Sequence, residues 1–98
     1  MPLRQALDHS TPLAELMARV QASKARWAAV GPALPEALRA VVRPGPLDDK
    51  GWTLLAEGSA AAAKLRQCLP GLQAVLQRDG FAPLPLRVKV QPQAGAGG

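Results

Sequence analysis

Leu86-Arg87-Val88-Lys89-Val90-Gln91, residues 86–91, alternates apolar and mostly cationic side chains with a period of two. Successive side chains of a strand point to opposite faces, so Leu86, Val88 and Val90 are expected inward and Arg87, Lys89 and Gln91 outward. The same alternation reads at Leu38–Arg43, where Leu38, Ala40 and Val42 interleave with Arg39, Val41 and Arg43. A third strand fits Trp52–Glu57, in which Trp52, Leu54 and Ala56 alternate with Thr53, Leu55 and Glu57 and neither set is cleanly polar. Three short strands define a small sheet, and the segments around them must cover it.

Thr11-Pro12 signals a helix start, since Thr can cap free amides and Pro fits the first turn. Glu15 sits near the positive end of that helix. Leu13, Leu16, Met17, Val20 and Trp27 follow helical spacing and predict one apolar stripe, on which Lys24 is a misfit that must snorkel its charge outward or lie beyond a bend. Gly31-Pro32 ends the helix, with Gly suited to a left-handed terminal position. Pro35 to Leu38 fits a further short helical turn. Pro44-Gly45-Pro46-Leu47-Asp48-Asp49-Lys50-Gly51 is dense in turn formers and predicts a hairpin loop longer than the two-residue kind.

Gly58-Ser59 opens a second helical region, with Ser59 as its expected cap. Leu65, Leu69, Leu72 and Leu76 recur at helical spacing as a core stripe. Pro70 removes a backbone donor and biases Leu69 away from helical dihedrals, so a kink or break is expected, with pieces near Ala60–Cys68 and Gly71–Arg78. Asp79-Gly80 closes the second piece, and Pro83 and Pro85 keep the chain extended before the last strand. Met1–Ser10 reads as a loose arm, 11–91 as one domain, and Pro92–Gly98 as a disordered Gly/Ala-rich tail. The order α-β-β-α(α)-β predicts an α+β fold in which helices cover one face of a three-stranded sheet.

Ninety-eight residues supply one hydrophobic core. Twelve Lys and Arg against seven Asp and Glu leave a net charge of +5, a balance that favours an anionic partner. Cys68, the single cysteine, allows no intramolecular disulfide and no cysteine-based zinc site, and its leucine neighbours read it as a small buried residue. No run approaches the ~18 apolar residues of a membrane span, and no signal-peptide core opens the chain, so a cytoplasmic protein without membrane contact is expected. His9 is the only histidine and lies in the arm. Ser10, Ser23 and Ser59 therefore have no base to activate them. Asp48-Asp49 supplies too few oxygens for calcium or magnesium, and no phosphate-binding loop or dinucleotide fingerprint appears. The expectation is a binding protein with no cofactor and no catalytic residues.

Trp27-Ala28-Ala29-Val30-Gly31-Pro32-Ala33-Leu34 resembles the W-x-x-(V/I)-G-x-x-(L/I) signature of the DciA family. The resemblance continues in order through Arg43-Pro44, Leu47, Gly51-Trp52-Thr53-Leu54-Leu55-Ala56, Ser59-Ala60, Leu65 to Leu76 and Leu86-Arg87-Val88-Lys89-Val90, covering about Leu13–Gln91. It implies a KH-like α+β domain in a bacterial accessory protein that helps load or operate the replicative helicase DnaB. It also implies binding of single-stranded or branched DNA and no ATPase activity of its own. The place of the KH nucleic-acid loop reads Cys68-Leu69-Pro70-Gly71-Leu72, with one Gly where that loop carries two.

On this reading Arg39, Arg43, Arg87 and Lys89 form a phosphate-facing strip, with Lys50 from the hairpin and Lys64 or Arg66 at its border. A solvated polar face would look the same in sequence, because open sheets often keep one face polar and edge lysines discourage aggregation. The alternatives are an adaptor that docks on an acidic protein through Arg19, Arg26 and the Leu55 face, or an RNA-binding module using the same cations.

Overall fold

In the computed structural model, which describes residues 11–92, α1 spans Thr11–Val30 and is followed by a 3-10 turn, Gly31–Ala33. Then come α2 (Glu36–Arg39), β1 (Val42–Asp48), β2 (Gly51–Glu57), α3 (Ser59–Arg78) and β3 (Leu86–Gln91). The arm expected at 1–10, with His9 and Ser10, and the tail at 93–98 lie outside the described residues. The α+β architecture stands, with a three-stranded sheet ordered β1-β2-β3. β1 pairs with β2 antiparallel, and β3 joins β2 parallel. Among the described residues no helix is long and apolar enough to cross a membrane.

The alternation at Trp52–Glu57 sets the sheet's inner face. Trp52, Leu54 and Ala56 have no exposed surface and pack with Val30, Leu34, Leu38, Leu65 and Leu72 from the helical layer. Burying each large side chain contributes about 1.5–3 kcal/mol, so this face holds the fold. Leu86 and Val88 join it from β3. Val90, expected inward, stays 42% exposed, because it lies at the far end of an edge strand. The parallel ladder is pinned at both ends, where the Trp52 amide donates to the Pro85 carbonyl (2.9 Å) and the Gly58 amide to the Gln91 carbonyl (3.0 Å).

The first strand does not run Leu38–Arg43. Leu38 and Arg39 belong to α2, and β1 begins at Val42 and continues through Pro44-Gly45-Pro46, the segment expected as loop. An edge strand explains this, since proline costs no ladder bond on the side that faces no neighbour. Pairing jumps from Pro44↔Leu54 to Leu47↔Trp52, so Gly45 and Pro46 together oppose Thr53 as a bulge. A Cβ at Gly45 would lie 2.7 Å from the Thr53 carbonyl oxygen, which no side chain can accept. The hairpin then closes on Asp49-Lys50 alone, tighter than expected. Asp48 Oδ1 fixes it by accepting from the amides of Lys50 (2.8 Å) and Gly51 (3.1 Å).

The expected break at Pro70 is absent, and α3 runs unbroken from Ser59 to Arg78. Leu65, Leu72 and Leu76 are buried on either side of the proline, while Pro70 itself is exposed. Packing of the leucine stripe outweighs the ~3 kcal/mol that an interior proline costs, and both Pro70 and Arg66, four residues earlier, are exposed. No KH-type loop therefore interrupts this helix. Gly58, not Ser59, occupies the N-cap, and no side-chain cap bond forms. The C-terminus behaves as Asp79-Gly80 requires: Gly80 adopts φ +85°, and the amides of Gly80 and Phe81 return to the carbonyls of Gln77 and Leu76.

α1 divides into two unlike halves. Leu13, Leu16, Met17 and Val20 are 58, 57, 56 and 43% exposed, so of the expected apolar stripe only Trp27 packs against the core. The inward face is instead Ser23, Arg26, Trp27 and Val30, which leaves Lys24 in water and removes its misfit. Gly31 continues into the 3-10 turn without adopting positive φ. Cys68 is half-buried against the core.

Candidate nucleic-acid interface

The pairing that buries Trp52, Leu54 and Ala56 turns Thr53, Leu55 and Glu57 to the sheet's other side. Parallel register adds Arg87 beside Thr53, Lys89 beside Leu55 and Gln91 beside Glu57. From β1, Arg43 stands opposite Leu55, so one transverse row reads Arg43, Leu55, Lys89. With strands ~4.8 Å apart, the backbones bearing the two cations of that row are ~10 Å from each other. Both Arg87 and Lys89 are exposed.

The hairpin supplies a further charge. Arg87 Nη2 donates to the Lys50 carbonyl at 3.2 Å, which holds the exposed turn residue Lys50 against β3. Arg43, 69% exposed, approaches Glu57 Oε1 at 3.7 Å, a long and solvated pair worth well under ~1 kcal/mol. Arg78–Asp79 is the other ion pair among the described residues, so no described carboxylate lies within 4.0 Å of Lys50, Arg87 or Lys89. Three of the four strand cations predicted from sequence thus share one open face.

Arg39 does not join them. It closes α2, and its Nη1 reaches back toward the Gly31 carbonyl at 3.5 Å, because the alternation that placed it on a strand belongs to a helical turn. Lys64 and Arg66 are exposed on α3, whose leucines pack on the Trp52 face, so they lie across the sheet from Arg87 and Lys89. Neither borders the strip.

Two polar residues to which the sequence reading gave no packing role organise the packed side. Ser23 is 6% exposed; its hydroxyl donates to the Gly45 carbonyl (2.9 Å) and accepts from Trp52 Nε1 (2.9 Å). One hydroxyl thereby ties α1 to the bulge of β1 and to the central tryptophan of β2. Arg26 is 8% exposed, with its guanidinium 5.1 Å from the Phe81 ring centroid and long 3.5 Å contacts to the carbonyls of Ala22 and Ala82. It is a structural cation and is not available to the docking patch expected to include it. The signal that could have revealed both is their spacing to Val30, which places Ser23, Arg26 and Val30 on one helical face.

Among the described residues no three His, Cys, Asp or Glu side chains gather where they could hold a metal. What the geometry defines is a small α+β domain with one packed and one cationic sheet face. Compared with protein-family models, curated proteins and solved structures, the chain matches none.

Proposed function

We propose that this protein is a non-catalytic DNA-binding accessory of bacterial DNA replication, acting on single-stranded or branched DNA beside the replicative helicase DnaB, as the DciA resemblance implies. The observation that carries the DNA-binding part is the placement of Arg43, Arg87 and Lys89 on the sheet face turned away from the Trp52 core, with the exposed Lys50 turn tied to Arg87 through its carbonyl. Cations held by strand register present charge to a phosphate backbone at fixed spacing, and each neutralised phosphate releases condensed counterion. Trp52 is fully buried and Trp27 half-buried, so neither offers a stacking platform on that face, which favours binding with little base preference. The helicase partnership rests on the family resemblance.

The reading is tested by titrating a short labelled single strand with the full chain across a salt series, followed by fluorescence anisotropy. Three to four phosphate contacts predict that log affinity falls with log salt at a slope of about −2 to −3. No binding at low salt, or affinity indifferent to salt, removes the proposal. A tagged-protein pull-down of DnaB that persists after nuclease treatment tests the second half.

A further inference from the structure

The exposed half of α1 overhangs β1, and between them lies a groove of about 520 Å³. Leu16, Val20, Leu47 and Leu55 form its apolar floor, and Arg19 and Lys24 stand on its rim. Leu13 and Met17 extend the apolar surface along the same helix. Soluble proteins leave a continuous apolar patch of this kind uncovered chiefly where something docks.

Charge selects the occupant. Arg19 and Lys24 are exposed, and no carboxylate of the described residues pairs with them. Asp48, the acidic residue of the lining, already accepts from two amides of its own turn. Arg43 adds a further cation beside Leu55. A second copy of this chain would bring another net +5 to the surface. Two turns of helix also fall short of the ~800 Å² per partner that a standard interface buries. Nucleic acid gains nothing from a leucine floor without aromatic rings. We infer that this groove docks an acidic amphipathic helix of a partner protein, with leucine-type side chains seated between Leu16, Val20 and Leu55 and carboxylates facing Arg19 and Lys24. The mode is helix-in-groove recognition with an electrostatic rim. The groove adjoins the proposed DNA-binding face at Leu55 and Arg43, but its α1 wall and rim lie apart from Arg87 and Lys89 of β3, so the two can be separated by substitution.

The test uses the full chain and a synthetic peptide with leucines at i, i+3, i+4 and i+7 separated by glutamates, beside the same peptide with lysines for glutamates. Binding is followed by anisotropy and by amide shifts in the protein's NMR spectrum. The acidic peptide is expected to bind at least tenfold more tightly than the basic one, with shifts at Leu16, Val20 and Leu55. Leu16→Glu with Val20→Glu, at positions exposed enough to leave the fold intact, should abolish binding. Arg19→Glu with Lys24→Glu should reverse the preference between peptides, and Arg87→Glu should leave it unchanged. Absence of binding, equal binding of both peptides, or shifts confined to β3 would overturn the inference. So would sedimentation as a dimer that Leu16→Glu with Val20→Glu converts to monomer, which assigns the groove to a second copy.

Discussion

The two faces of one sheet carry side chains drawn from the same three strands, yet one is dry and the other wet. On one side Trp52, Leu54 and Ala56 lose all contact with water. On the other, one residue along, Thr53, Leu55 and Glu57 keep theirs in part, flanked by Arg43, Arg87 and Lys89. A one-residue slip in register would exchange the faces, burying guanidinium and ammonium groups at a cost of several kcal/mol each. Register is therefore strongly specified, and the same specification fixes the spacing of the cations. Fold stability resides in one face, and binding is proposed for the other.

If that division holds, substitutions one residue apart must differ sharply in consequence. The largest effect is expected at Trp52→Ala, which should cost about 3–5 kcal/mol in chemical denaturation, enough to unfold much of a marginal domain. Ser23→Ala should follow at about 1–3 kcal/mol, because it strips the partner from the buried Trp52 indole N–H. Thr53→Val, on the open face beside Trp52, should change stability by no more than about 0.5 kcal/mol. The smallest effect belongs to Glu57→Gln, within about 0.5 kcal/mol, since its pair with Arg43 is long and solvated. The same variant should tighten DNA binding a few-fold by freeing Arg43. A stability loss at Thr53 or Glu57 rivalling that at Ser23 would erase the distinction between the faces.

The legible parts of the chain were those written in short-range signals. Alternation marks Trp52–Glu57 and Leu86–Gln91 without knowledge of their neighbours, and Asp79-Gly80 carries its own helix stop. β1 hid because a proline's tolerance in a strand depends on whether that strand lies at a sheet edge, a property of the whole sheet. The break expected at Pro70 fails for a related reason: local dihedral preference opposes helix there, and packing of α3 on the sheet decides otherwise.

The candidate site divides in the same way. Arg87 and Lys89 follow from period two, and Arg43 from the one stretch of its alternation, Val42-Arg43, that lies in β1. Arg39 was misplaced because a short apolar alternation fits a helical turn as readily as a strand. Ser23 was invisible as a packing residue, since its partners Gly45 and Trp52 lie 22 and 29 residues away.

The most direct test is a comparison of the wild-type chain with Arg87→Glu plus Lys89→Glu in the salt titration against single-stranded DNA. Both positions are exposed, so the double variant should keep its circular dichroism spectrum and melt near the wild type. It should lose at least about tenfold in affinity at low salt and show a shallower salt slope. A folded double variant that binds DNA as tightly as the wild type, with the same slope, would contradict the account.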